Sequence, residues 1–195
     1  MSFFSTIAGK ILNIPVVCTF HGQKYHSETK IRKNIIRFIA NNSVLVAVSE
    51  QIRNIFIEES HVEADKIVVI KNGIVIDSSE SQSDIKSELN LKNNAILIGT
   101  IGRLHPIKGH IYLIKAIHKL VKDNQDIHLI ICGDGEERGN LCNYIHKNSL
   151  EKNIFLLGHR EDSYDILKQL DIFVLPSLSE GTSLALLEAL SIGVE

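Results

Sequence analysis

The order in which apolar runs recur along the chain limits its fold more than any other feature. From Ala95 onward, β-rich runs at Ala95–Ile101, Ile127–Ile131, Ile154–Leu157 and Ile172–Leu175 alternate with helical patterns. That alternation predicts an α/β fold with a parallel sheet, because parallel strands need helical crossovers. In the first crossover, Ile111 to Asn124, Ile114, Ile117 and Val121 share one helical face, while Lys115, Lys119 and Lys122 fall elsewhere. A shorter alternation precedes it: Val16–Phe20, a helix near Glu28–Asn41, Val44–Val48, a helix near Glu50–Ser60, then Ile67–Ile70. Residues 77–94 are rich in Ser and Asn, the composition of a chain leaving one core for another. The expected organisation is a first domain over 1–78, a linker over 79–94 and a second domain over 95–195.

Composition excludes several classes. With 44% hydrophobic residues the 195-residue chain can bury a core. A net charge of −2 argues against a nucleic-acid binder, which needs clustered Lys and Arg to displace counterions. Cys18, Cys132 and Cys142 are odd in number and lack Cys-x-x-Cys spacing, which suits a reducing cytoplasm. No apolar stretch reaches the roughly 18 residues of a membrane span, and the N-terminus lacks the pattern of a signal peptide. The expected location is cytoplasmic. Residues 1–78 hold nine Lys and Arg against seven Asp and Glu, with Lys24, Lys30, Arg32, Lys33 and Arg37 clustered around one helix. A solvated helix face is the first reading of that cluster, and peripheral contact with an anionic membrane is the second. The opening segment, with Phe3, Phe4, Ile7, Ile11 and Leu12 at helical spacing, is expected to dock on the first domain.

Residues that follow parallel strands are where ligands bind. After Ala95–Ile101 comes Gly102-Arg103-Leu104-His105-Pro106-Ile107-Lys108-Gly109, two cations around a constrained turn ahead of a helix N-terminus. Such a turn makes a diphosphate clamp, since free helix N–H groups attract anions and Arg plus Lys supply charge to a departing phosphate. Two surface cations are the competing reading. The segment lacks the Gly-Lys-Ser/Thr ending of an ATP-type phosphate loop, and Gly133-Asp134-Gly135 lacks the third glycine of a dinucleotide fingerprint, position 138 being Arg. After the last strand and Pro176 stands Glu180-Gly181-Thr182-Ser183-Leu184-Ala185-Leu186-Leu187-Glu188. Thr182 or Ser183 can cap a helix there, which places Glu188 in its second turn on an apolar face. A buried carboxylate needs a partner, either the vicinal hydroxyls of a ribose or an internal Arg or Lys. Glu180, at the helix mouth, can hold sugar hydroxyls.

The Glu180-to-Glu188 spacing, with Gly102-Arg103-Leu104, Lys108-Gly109, Gly133-Asp134-Gly135, Glu137-Arg138, Leu157-Gly158 and Asn72-Gly73 in this order, resembles the pattern of family 4 of the retaining GT-B glycosyltransferases. The resemblance implies two Rossmann-like domains, the N-terminal one incomplete. It implies that Arg103 and Lys108 bind the donor diphosphate, Glu188 the ribose and Glu180 the transferred sugar. Backbone amides of Gly181, Thr182, Ser183 and Leu184 face sugar and phosphate, and Gly158, His159 and Arg160 pass near the base. His21-Gly22 is similar to a His-Gly pair facing the donor sugar, which makes His21, with Glu180, the catalytic candidate. An ordinary strand-end histidine is the alternative. Two departures stand out: Thr182-Ser183 replaces the commoner Phe-Gly, and the chain looks cut at both ends.

The implied activity is transfer of a sugar from a nucleoside diphosphate sugar to a saccharide or lipid-linked hydroxyl acceptor, with retention and without a metal or other cofactor. The implied setting is synthesis of polysaccharide, lipopolysaccharide or glycolipid. An inactive nucleotide-sugar binding fragment is the alternative, and a sugar-phosphate epimerase or phosphorylase on the same plan is a third reading.

Overall fold

The computed structural model describes residues 2–21, 29–76 and 83–195. The chain divides into two compact units, Met1–Gly73 with Ser179–Ser183, and Ile74–Leu178 with Leu184–Glu195. Lys24, Glu28 and residues 77–82, where the Ser-rich linker starts, lie outside the described residues.

The first unit carries strands β1 (Val17–Phe20), β2 (Val44–Ala47) and β3 (Ile67–Val69), paired in parallel in the order β1-β2-β3. Helix α1 (Ser2–Leu12) precedes them, α2 (Lys30–Asn42) joins β1 to β2, and α3 (Glu50–Ser60) joins β2 to β3. Both crossover helices start at a hydroxyl cap: Thr29 Oγ1 accepts from the Arg32 N–H and Ser49 Oγ from the Ile52 N–H, each at 3.2 Å. Such caps satisfy donors that have no partner within the helix. Apolar residues at helical spacing, Ile36 with Ile39 and Ala40, and Ile52 with Phe56, pack with Phe20 and Leu45 into the core. Helix α1 docks as expected, with Phe3 edge-on against Phe38 and Thr6 and Gly9 buried. Its other face is bare, with Phe4 74% and Ile11 76% exposed.

The second unit holds the longer parallel sheet: β4 (Ile96–Ile101), β5 (Ile127–Cys132), β6 (Ile154–Gly158) and β7 (Ile172–Phe173), in the order β6-β5-β4-β7. Successive side chains on a strand point to opposite faces. Leu129 and Ile131 accordingly enter a core with α5 (His110–Leu120) and α6 (Arg138–Lys147), while Ile130 and Cys132 enter one with α4 (Ile85–Glu88), α7 (Ser163–Leu167) and α8 (Leu184–Ile192). That two-sided burial is why these strands read as continuous apolar runs. Among the described residues no helix is long and apolar enough to cross a membrane.

Gly133 and His110 bear directly on stability. Gly133 has φ 141°, and a Cβ there would fall 2.0 Å from the Gly102 carbonyl oxygen. Gly139, inside α6, has open space around it. We expect Gly133→Ala to lower the unfolding free energy by about 2 kcal/mol or more, and Gly139→Ala to be neutral or to raise it by up to about 1 kcal/mol. Urea denaturation of the two variants checks the contrast.

His110, the first residue of α5, is 3% exposed, and its Nδ1 has no hydrogen-bond partner among the described residues. Burial, and then the Lys108 charge, pull its imidazole down to about 4. In the unfolded chain it titrates near ~6.5. Its contribution to stability is therefore full above that pH. It is lost as the pH falls toward about 4, because over that window the unfolded chain binds a proton that the folded chain refuses. Melting temperatures from pH 7 to pH 4.5 should fall less steeply in His110→Gln than in the parent chain, and equal slopes would refute the assignment.

Candidate active site

The strand order reverses at β4: the chain steps outward through β5 and β6 and then returns to place β7 on the other side. In open parallel sheets the ligand crevice lies outside the carboxyl ends of the strands, at such a reversal. The loops here are tied to one another by backbone bonds. Gly102 N–H donates to the Cys132 carbonyl at 2.9 Å, Leu104 N–H to the Asp134 carbonyl at 3.0 Å, and Gly133 N–H to the Gly158 carbonyl at 2.7 Å. On the β7 side, Leu178 N–H donates to the Ile107 carbonyl at 2.8 Å. Gly109, at φ 66°, lies so close to Pro176 that a Cβ would come 2.2 Å from its carbonyl oxygen. These bonds bring the turn carrying Lys108 beside the exit of β7.

A cavity of about 410 Å³ opens over β4, β5 and β6, lined by Gly102, Arg103, Asp134, His159, Arg160 and Ser163 among others. Arg103, 71% exposed, pairs through Nη2 with Glu136 Oε2 at 3.2 Å, and His105 Nε2 lies 3.4 Å from the other oxygen of Glu136. A hydrogen bond from its own backbone N–H, followed by the Arg103 charge, holds Glu136 below the usual carboxylate range. An exposed pair of this kind exchanges readily with solvent or a stronger anion. Arg160 is held far more firmly. Its guanidinium meets Asp162 through Nε and Nη2, both at 2.7 Å, and Glu88 through Nη1 and Nη2 at 2.6 and 3.0 Å. Cys132, also on the cavity wall, has its thiol pushed up to about 12 by burial and so stays protonated.

The expected clamp turn forms as the sequence suggests: His105 Nδ1 accepts from the Ile107 N–H at 3.1 Å, a 3-10 turn spans Pro106–Lys108, and α5 starts at His110. Helix α8 begins at Leu184, so Glu188 does occupy its second turn. It is less enclosed than the apolar sequence implies, since only Ala189 of α8 is fully buried and Leu190 is 65% exposed. Even so, Glu188 is half-buried, burial raises its carboxyl above the usual range, and it has no side-chain partner among the described residues. The internal Arg or Lys that could have neutralised it is absent from those residues.

Of the sequence-derived candidates, the structure brings Arg103, His159 and Arg160 onto one cavity, with Gly158 closing β6 beside them. Lys108 and Glu188 belong to the same unit but do not line that cavity. Glu180, Gly181, Thr182 and Ser183 group with the first unit, as does His21, which directly follows β1. There a Cβ on Gly181 would fall 2.3 Å from the His21 carbonyl oxygen, so glycine is what permits that approach. With α8 starting at Leu184, Ser183 of the two cap candidates stands at the cap position; Thr182 Oγ1 donates to the Val48 carbonyl at 3.1 Å, and the Thr182 carbonyl accepts from Asn72 Nδ2 at 3.3 Å. Gly22 lies outside the described residues. Ser163 and Glu88 escaped the sequence reading, since neither stands in a recognisable motif.

Comparison with known proteins agrees with the α/β fold. The family described as Glycosyl transferases group 1 matches residues 81–194, and Glycosyltransferase Family 4 matches residues 1–78. An Escherichia coli UDP-Gal:alpha-D-GlcNAc-diphosphoundecaprenol alpha-1,3-galactosyltransferase is 36% identical, over 96% of this chain and 52% of its own length. The putative glycosyltransferase EpsF of Bacillus subtilis is 25% identical, over 98% of this chain and 53% of its own. Among solved GT-B structures, Anabaena HepE in complex with UDP-glucose superposes with a TM-score of 0.85 at 25% identity, covering 98% of this chain and 55% of that one. The chain thus spans about half the length of the curated relatives it matches. On these matches and this fold, the chain belongs to the glycosyl transferases group 1 family, with the GT-B architecture.

Proposed function

We propose that this chain carries the donor side of a retaining glycosyltransferase, which moves a sugar from a nucleoside diphosphate sugar to a hydroxyl acceptor in the synthesis of a cell-surface polysaccharide, lipopolysaccharide or glycolipid. The observation that carries the reading is the cavity over β4–β6 with Arg103 at its rim and the Lys108 turn beside the strand reversal. In the reaction the bond from the anomeric carbon to the diphosphate oxygen breaks, the diphosphate keeps the electron pair, and the acceptor oxygen takes its place on carbon and gives up its proton. Arg103 and Lys108 supply positive charge to the leaving group in place of a metal, and Glu188 receives the ribose hydroxyls its carboxylate lacks in the free protein. His21 and Glu180 serve the transferred sugar. Support for a sugar-nucleotide donor comes from HepE, solved with UDP-glucose, and support for a lipid-linked acceptor from the galactosyltransferase, named for its diphosphoundecaprenol substrate.

Because the chain covers about half of those relatives, binding of the donor without transfer is the second reading for the chain alone. Donor bound but never consumed, in the presence of acceptor, selects it. A thermal-shift panel of UDP-, GDP- and ADP-sugars tests the site itself, since a ligand of the folded state raises the melting temperature by mass action. We expect one base to dominate. In a complete enzyme, Arg103→Ala and Lys108→Ala should each lower turnover roughly a hundredfold, the typical cost of losing one preorganised charge donor; near-normal rates in both would refute the clamp. Glu188→Gln should weaken nucleotide binding more than Glu180→Gln, while leaving the melting temperature of the free chain unchanged or higher, since it removes a half-buried, unpartnered charge.

A lipid-linked acceptor implies a membrane close by. We place a peripheral contact at α1 and α2 on the cytoplasmic face, through exposed Phe4, Ile11 and Leu12 with Lys10, Lys30 and Lys33. Co-sedimentation with anionic but not neutral vesicles is the expected result, and equal sedimentation with both would count against it.

A further inference from the structure

Arg160 lines the proposed nucleotide cavity, yet it is poorly suited to grip a phosphate. An arginine side chain offers five N–H donors. Four of them are engaged: Nε–H and one Nη2–H by Asp162, the other Nη2–H and one Nη1–H by Glu88. Hydrogen bonds to Asp162 and Glu88 push the guanidinium far above its ordinary value, and Arg160 in turn holds Asp162 below the usual carboxylate range. The trio itself carries one positive and two negative charges, with the Arg138 guanidinium beside it at the end of β6. Arg103, by contrast, has a single, exposed side-chain partner among the described residues.

Asp162 is a near neighbour of Arg160 in sequence and is positioned by the same loop. Glu88 comes from 72 residues upstream, the last residue of the four-residue helix α4. That helix is fastened independently of Glu88. Ile85 is fully buried, its N–H donates to Gln169 Oε1 at 2.9 Å, and Gln169 Nε2 donates to the Ser83 carbonyl at 2.9 Å. Glu88 thus has a fixed base from which to hold Arg160 in one plane.

We infer that Glu88 is a positioning residue for nucleotide binding: by holding Arg160 flat and neutralised, it makes the β6 side of the cavity a wall for the nucleoside and leaves the phosphates to the Arg103 side. The inference rests on the reading of this cavity as the nucleotide site, and it names the residue that sets the direction in which the nucleotide lies. Without Glu88, two Arg160 N–H donors are freed and the trio loses its negative excess. The β6 side then competes for phosphate, and the nucleoside loses its fixed wall.

Calorimetry on the full 195-residue chain tests this at low salt, with UDP, GDP, ADP and inorganic pyrophosphate as ligands. In Glu88→Ala we expect the preferred nucleoside diphosphate to bind roughly tenfold more weakly, about 1.4 kcal/mol. The preference among bases should narrow, and pyrophosphate should bind several-fold more tightly. Glu88→Gln, which keeps an acceptor oxygen but not the charge, should fall between. The melting temperature of the free chain should change little, because Glu88 is 42% exposed and Arg160 keeps its two bonds to Asp162 when Glu88 is removed. A purely structural role would lower the melting temperature and leave base preference and pyrophosphate affinity as they are. Nucleotide binding by the parent chain that is indifferent to Glu88→Ala would overturn the inference alone. Failure of the parent chain to bind any of the three nucleotides would overturn the site assignment and the inference together.

Discussion

The candidate site rests on a set of backbone hydrogen bonds that lace together the loops at the carboxyl ends of β4, β5 and β6. Gly102, Leu104 and Gly133 each donate across to the next strand's loop, and the shape of the cavity follows from those three bonds. Glycine stands at two of these positions, and at Gly133 both the backbone angle and the space would be lost to any side chain. Rigid walls made of main chain have a consequence for electrostatics. They fix the point from which each side chain leaves, so the charge that can gather at each end of the cavity is set by sequence position.

Charge along the cavity is accordingly uneven. Among the described residues Arg103 stands out in solvent with one loosely held side-chain partner, while Arg160 gives four of its five N–H donors to two carboxylates. The same residue type stands in opposite states at the two ends, one with its charge turned largely to solvent and the other with its charge met inside the protein. Glu188 is a third case, a half-buried carboxylate raised above its ordinary range and left without a side-chain partner among the described residues. A half-buried carboxylate of that kind is a candidate position for a ligand.

Much of this was legible in the sequence, for identifiable reasons. Helix α3 runs over Glu50–Ser60 as expected, because Ser49 supplies a cap and Ile52 with Phe56 supply the periodicity. The sheet was readable because burial on both faces makes its strands uniformly apolar. Strand β7 was overestimated: the apolar run reaches Leu175, but residue pairing stops at Phe173 and the last bond to β4 is from the Val174 N–H to the Gly99 carbonyl, because periodicity reports burial rather than pairing. Thr182 and Ser183 both fit a helix cap by type; Ser183 is the one that directly precedes α8, while the Thr182 hydroxyl bonds the Val48 carbonyl, 134 residues away. Glu88 was invisible for the same reason. A contact made across such a distance in sequence leaves no local trace, and a four-residue helix has no period to read.

The three cysteines have a practical corollary. Cys18 and Cys132 are buried, and the Cys132 thiol stays protonated although it borders the cavity, while Cys142 is exposed on α6. Thiolate is the form that reacts with alkylating reagents, so maleimide chemistry on the folded chain should mark Cys142 alone. The native sequence therefore already supplies a single attachment point for a fluorophore or spin label, on a helix that packs against the same core as β4 and β5, with no cysteine needing to be engineered out.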